Sequence, residues 1–313
     1  METSLRGRDL ISIADLSADE LERLLHTALQ LKREGWPRAL EGQTVALIFE
    51  KPSLRTRVSF EVAMRQLGGD GIYLNQAEVG LGQRESVADV ARVLERYVQG
   101  IVARTYEHQT LLDLAEHASV PVINALSDEE HPCQALADLL TIVERKGALR
   151  DVRIAFVGDG NNVAASLVQA ATMAGAQFVI ASPPGYRLPE EMELRAEERA
   201  REHGGSFRTV DTPQQAVEGA DVVYTDVWTS MGQEVSHAQR LLAFEGFQVT
   251  PDLMSQAKPD AIFMHDLPAH RGEETVDAVI EGAQSVVFDQ AENRLHAQRA
   301  VLLLLLGEGE SHP

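Results

Sequence analysis

Phe49-Glu50-Lys51-Pro52-Ser53-Leu54-Arg55-Thr56-Arg57 joins an apolar, strand-like run over 44–49 to an amphipathic helical pattern that ends at Gly68-Gly69. Ser53 stands where that helix begins, and a hydroxyl there accepts from a backbone N–H of the first turn. The open N–H groups of that turn, Thr56 and two arginines converge on one small volume. This is an anion site, and its chemistry fits a phosphate. The plainer account is an ordinary Ser N-cap followed by surface arginines, and Arg57 in particular suits a structural ion pair.

Outward from this stretch, strands and helices alternate. After an opening helix over 17–34, strands are expected at 44–50, 71–75, 100–106 and 121–125, with helices near 54–67, 86–98 and 109–117. Short β-branched strands with helix-length connections predict a parallel sheet covered by helices. A long helix over 133–146 ends at Gly147. The alternation then restarts, with strands at 153–158, 177–181, 206–210, 221–225, 261–265 and 285–289 and helices near 162–174, 189–203 and 212–218. The fold class expected is α/β: two open parallel-sheet domains. The first covers 1–147 and is completed by a C-terminal helix over 293–313 that packs back on it; the second covers 148–292.

Bulk properties narrow the function. A chain of 313 residues, 44% hydrophobic, can bury two cores. The net charge of −20 argues against a nucleic-acid partner and requires any anion site to concentrate its cations locally. One cysteine, Cys133, excludes an intrachain disulfide and fits a reducing compartment. The N-terminus has no signal-type apolar core, and the longest apolar run, 300–306, is far short of the roughly 20 residues that a membrane span needs. A cytoplasmic protein is expected.

In open α/β sheets ligands bind beyond the carboxyl ends of the strands, and each candidate motif follows a strand. Arg104 terminates the run Gly100-Ile101-Val102-Ala103; a buried arginine is costly unless an anion meets it, either a ligand or a carboxylate partner. His131-Pro132-Cys133-Gln134 opens the long helix, with Pro132 suited to the first helical position. His131 can donate to a carbonyl oxygen and Gln134 can hold an amide, although a lone loop histidine is often merely solvated. Cys133 reads as packing, since no activating base is paired with it. Val157-Gly158-Asp159-Gly160-Asn161-Asn162 superficially resembles a dinucleotide loop. Val163 replaces the third glycine and no acidic residue follows the next strand, so a nicotinamide cofactor is not expected. A tight turn presenting Asn162 to a small ligand fits better.

Asp226-Val227-Trp228-Thr229-Ser230-Met231-Gly232 brings a carboxylate to a strand end, where it binds an amine or simply caps a turn. His265-Asp266-Leu267-Pro268-Ala269-His270-Arg271-Gly272-Glu273-Glu274 sets a polar cluster after an apolar strand. A metal reading would use His265, Asp266 and His270, but no further matching ligand is apparent, so no metal is expected. Arg294, near the start of the last helix, is either a surface arginine or a residue reaching over an interdomain cleft.

Taken in order, these segments resemble the carbamoyltransferase superfamily, and closely its ornithine branch, from about Leu10 to Leu306. The resemblance implies an enzyme of arginine metabolism that needs no cofactor and converts carbamoyl phosphate and L-ornithine to L-citrulline and phosphate. It implies carbamoyl phosphate binding by Ser53, Leu54, Arg55, Thr56, Arg104, His131, Gln134, Leu267 and Arg294, with Arg104, His131, Asp266 and Arg55 in the chemistry. It implies ornithine binding by Asn162, Asp226, Ser230 and Met231. It also implies a homotrimer, with a loop carrying Gln83 and Arg84 donated by the neighbouring subunit. Two positions depart from the family's pattern. The usual His-Cys-Leu-Pro reads His265-Asp266-Leu267-Pro268, and Gly80 stands where a Gln or His is common. The first departure leaves open another amine substrate, such as putrescine or an acylated ornithine. Together they leave open a non-catalytic binding protein.

Overall fold

The computed structural model of the chain describes residues 4–230 and 234–307. It divides into two compact units, Met1–Leu140 with Glu292–Pro313, and Thr141–Ala291.

In the first unit, β1 (Thr44–Phe49), β2 (Asp70–Asn75), β3 (Gly100–Arg104) and β4 (Val122–Leu126) form a parallel sheet of order β2-β1-β3-β4. Residues 45–49 and 100–104 are all buried, as expected of inner strands covered on both faces. The edge strand β2 is more exposed. Because β1 and β3 are hydrogen-bonded neighbours while their connections run to opposite edges, the topological switch point lies between them. Register puts Phe49 opposite Arg104 there. The loop after β1 therefore opens beside the arginine that ends β3. The helix Leu54–Gln66 starts in that loop, its first turn capped by Ser53.

In the second unit, β5 (Arg153–Val157), β6 (Gln177–Ala181), β7 (Ser206–Val210), β8 (Val222–Tyr224) and β9 (Ile262–Met264) are parallel, in the order β7-β6-β5-β8-β9. Here the switch point lies between β5 and β8, whose following loops carry Asp159-Gly160-Asn161 and Asp226. The helix Asn162–Met173 is buried over 163–173, so its small apolar residues are not confined to one stripe.

One sequence expectation fails. Residues 285–289 do not form a strand. Ser285 makes a single bridge to Phe263 and the last helix then begins, running Val287–Leu306 rather than starting near 293. The β9 edge is only three residues long, and the apolar pair Val286-Val287, which reads as strand, is buried at the entry to a helix. The short helices Gln76–Val79, His237–Ala243, Pro251–Met254 and Asp277–Ile280 also lie outside the sequence reading. The part of the last helix from Glu292 onward belongs to the first unit, where Asn293 accepts from Lys32 (2.9 Å) and Arg299 donates to Gln66 (3.0 Å). Among the described residues no helix is long and apolar enough to cross a membrane.

Candidate functional site

Each unit presents one polar cluster at its switch point. In the first unit the Ser53 hydroxyl accepts from the Thr56 N–H (3.3 Å) and lies 3.0 Å from the Thr56 hydroxyl. Arg294 donates to the Gln134 side-chain oxygen (2.5 Å) and to the Thr56 hydroxyl (3.3 Å), and approaches His131 Nε2 at 3.4 Å. Gln134 donates in turn to Asp138 (2.7 Å). Thr56, Arg104, His131, Gln134 and Arg294 are all buried, so the last helix, β3 and the starts of two other helices bring cationic and amide groups into one poorly solvated place.

Burial, with Arg294 and Arg104 adding to it, pushes the His131 pKa well below 6.5. His131 is therefore neutral at pH 7. An arginine can only donate, so the Arg294 contact assigns His131 Nε2 as acceptor and puts the ring proton on Nδ1.

The other first-unit candidates are more exposed. Leu54 is 78% exposed on the first helical turn, and Arg55 beside it is half-buried. Arg57 pairs with Glu61 (2.9 Å) and covers the Tyr73 ring at 3.8 Å, which gives it a structural occupation. Gln83 and Arg84 are exposed on a tight loop closed by Gln83 and Arg84 N–H groups donating to the Gly80 carbonyl. Gly80 adopts a left-handed conformation (φ 63°), and a Cβ there would lie 2.7 Å from the Arg84 Cβ. The loop's own geometry thus explains this departure. Cys133 is fully buried, its thiol pushed up to about 11 by burial. Lys51, which the sequence reading passed over, is buried at the same strand ends with its ammonium 4.5 Å over Tyr106. Burial and then Arg104 hold its pKa below the ordinary value. Its place directly after an inner strand was the available signal.

In the second unit Asp226 is buried where β8 ends. Asn161 donates to one of its oxygens (2.6 Å) and the Val227 N–H to the other (2.7 Å). Asp266, from the end of β9, stands against it. Burial first, then the charge and hydrogen bond of Asp266, push the Asp226 pKa well above the usual carboxylate value; His265 and Asn161 oppose this. His265 is fully buried, with Nε2 3.1 Å from Glu274 and Nδ1 2.9 Å from the Leu267 nitrogen and 3.5 Å from Asp266. Burial favours its neutral form, but Asp266, Glu274 and Asp226 outweigh this and raise its pKa to about 10. Leu267 is half-buried in the left-handed region, φ 60°.

The sequence reading chose Asn162, which is half-buried at the first helical position. The residue that bonds Asp226 is its neighbour Asn161, which also caps that helix. Gly160 admits no side chain, because a Cβ would lie 2.3 Å from the Leu188 nitrogen. Arg240 was missed as well. It bonds Asp159 (2.6 Å) and the Trp228 carbonyl (2.7 Å), tying the two switch-point loops together. Nothing local in the sequence marks a helix arginine for that task. Ser230 is half-buried, and Met231 lies outside the described residues. The residues of the metal reading set aside in the sequence, His265, Asp266 and His270, divide between two groups. Asp226, His265 and Asp266 group together, while His270 groups with Glu273 and Glu274.

The first cluster can hold a small dianion with a planar carbonyl beside it. The second can hold an amine. Comparison with known proteins matches this division. The family model described as "Aspartate/ornithine carbamoyltransferase, carbamoyl-P binding domain" matches residues 8–144, and that of the "Asp/Orn binding domain" matches 150–305. An ornithine carbamoyltransferase of Pyrococcus abyssi is 56% identical over 311 residues, 98% of each chain. The anabolic ornithine carbamoyltransferase of Pyrococcus furiosus is 55% identical over 311 residues, covering 98% of this chain and 99% of its own. The solved P. furiosus ornithine carbamoyltransferase superposes with a TM-score of 0.95 at 54% identity, covering 98% of this chain and all of the other.

Proposed function

This chain belongs to the aspartate/ornithine carbamoyltransferase family, and from that premise we propose that it is an ornithine carbamoyltransferase, joining carbamoyl phosphate and L-ornithine to give L-citrulline and phosphate in arginine biosynthesis. The observation that carries the reading is the buried set Thr56, Arg104, His131, Gln134 and Arg294 at the β1/β3 switch point of a chain with net charge −20. Buried cations in an acidic protein are costly unless an anion meets them.

The phosphate goes to the first turn of Leu54–Gln66, where Ser53, the Leu54 N–H, Arg55 and Thr56 converge, with Arg294 joining through the Thr56 hydroxyl. Arg104, the His131 Nδ1–H and Gln134 address the carbamoyl group. Attack on its carbon builds charge on the carbonyl oxygen, and each preorganised donor there contributes roughly 2.7–4 kcal/mol to the transition state. A neutral imidazole serves as donor without adding a cation that would repel Arg104 and Arg294. The departing phosphate carries off the proton.

Only the neutral amine attacks, and a lysine-like amine of pKa about 10.4 is neutral in only about one molecule in several thousand at pH 7. Asp226 and Asp266 position the substrate's amines, with Asn162, Ser230 and Met231 as further contacts, while Leu267 belongs with the carbamoyl phosphate contacts. Burial and Asp266 raise the Asp226 pKa, which makes its carboxylate a better proton acceptor than an ordinary aspartate as the amine enters.

The assembly we assign is a homotrimer, with Gln83 and Arg84 offered to a neighbouring subunit. The exposed apolar residues Val58, Ile72, Val93 and Tyr97 of the first unit support a surface that other copies cover. The single cysteine supports the cytoplasm as its compartment.

A citrulline assay with carbamoyl phosphate and a panel of ornithine, putrescine and N-acetylornithine tests the function. Turnover with ornithine at least a hundredfold above the others is expected. Preference for either alternative overturns the ornithine assignment, and no phosphate release with any amine overturns catalysis.

A further inference from the structure

The turn that follows the β9 loop carries a group of ligand-type atoms that the carbamoyl-transfer reading does not use. His270, Glu273 and Glu274 each offer one atom within 4.8 Å of the others. Two carboxylate oxygens in this group, Glu273 Oε2 and Glu274 Oε2, are shielded from solvent and receive no hydrogen bond among the described residues. Glu274 is fully buried, and its other oxygen already accepts from the His270 N–H (2.6 Å) and faces His265 (3.1 Å). A buried carboxylate oxygen with no donor is expensive, so this arrangement calls for a cation.

His265 already meets the other Glu274 oxygen, but among the described residues no resident cation lies within hydrogen-bond distance of the two shielded oxygens. Glu273 stands 3.6 Å from His270 Nδ1 and 3.5 Å from His237 Nε2. Both distances are too long for a good hydrogen bond. They are close to the roughly 3.4 Å edge that separates two ligands held at about 2.1 Å from one tetrahedral ion. Arg271, the nearest cation in sequence, is engaged by Asp277 (2.5 Å) and Glu281 (2.7 Å).

The turn is also rigid. The Glu273 N–H donates to the His270 carbonyl (2.9 Å), the Gly272 N–H to that of Thr275 (2.7 Å), and the Gln248 amide to the carbonyls of Gly272 and Glu273 (both 2.8 Å). His270 is exposed, so an ion has a way in.

We propose that His270, Glu273 and Glu274 form a binding site for one divalent transition-metal ion of the zinc class. One imidazole and two carboxylates make a mixed nitrogen and oxygen set that suits Zn²⁺ over Mg²⁺ or Ca²⁺.

Full-length protein stripped with a chelator and titrated with ZnCl₂ by isothermal calorimetry tests the assignment. One ion per chain is expected, with a Kd at least tenfold tighter than that for MgCl₂. His270→Ala and Glu273→Gln, both chosen over the buried Glu274 so that folding survives, should each weaken zinc at least tenfold. The same two variants should lose the rise in Tm that zinc gives the wild type. Asp266→Asn should keep the binding. Unchanged zinc affinity in His270→Ala and Glu273→Gln, loss of binding in Asp266→Asn, or no uptake by the wild type would each overturn the site.

Discussion

The Arg294 guanidinium donates to the side-chain oxygen of Gln134 at 2.5 Å, although 160 residues separate them in the chain. The same guanidinium reaches Thr56. One arginine on the last helix therefore orients both the residue that ends the Ser53 turn and the amide that opens the long central helix. Arg294→Ala should weaken carbamoyl phosphate binding by about 1.5–3 kcal/mol, the usual worth of a charged hydrogen bond. Calorimetry with carbamoyl phosphate measures this, and Arg294→Lys should recover only part, lacking the fork. Equal affinity in all three proteins would remove Arg294 from the anion site.

Asp266 stands against Asp226 and helps hold its pKa up. Asp266→Asn removes that negative charge, so Asp226 should ionise at lower pH. The acid limb of the kcat/KM profile for ornithine should then move to lower pH. A limb that stays in place would show that the pair does not govern the amine.

His131 titrates well below 6.5 in the folded protein because it is buried beside Arg294 and Arg104. Between that lowered value and 6.5 the unfolded chain binds the extra proton, so stability falls as pH drops through this window and is intact above it. Thermal unfolding from pH 8 to pH 5 should show a steeper acid loss of Tm for the wild type than for His131→Gln. Parallel curves would contradict a buried neutral imidazole.

Gly80 combines a left-handed backbone with a 2.7 Å approach to the Arg84 Cβ. Gly80→Ala should cost about 1–2 kcal/mol of stability, seen as a lower Tm. An unchanged Tm would mean that the loop bearing Gln83 and Arg84 adjusts freely.

Cys133 is buried with its thiol raised to about 11, so almost no thiolate exists at pH 8. The native protein should resist thiol reagents and keep its turnover, and one thiol per chain should react once the protein is unfolded. Rapid labelling of the native protein would place that residue elsewhere.

Much of this was legible in the residues themselves. Apolar β-branched runs separated by helical patterns marked the strands of both sheets, because periodicity and turn chemistry are local properties. Each motif followed a strand, so the sheet rule directed attention to the ends of β1, β3, β5 and β8. The misreading occurred where the local signal was ambiguous. Val286-Val287 looks like strand because a short buried apolar run carries no period.

What the sequence alone determined, then, is the kind of chemistry and its order along the chain: a phosphate-type turn, an arginine ending a strand, a His-Pro helix start, and two carboxylates ending later strands. Only the tertiary structure decided which of these groups meet. Strand register set Phe49 beside Arg104, packing of the last helix set Arg294 on Gln134, and the sheet order set Asp226 against Asp266. Such contacts link residues tens to hundreds of positions apart, and the neutral His131 and late-ionising Asp226 exist only through the burial and neighbouring charges that those contacts create.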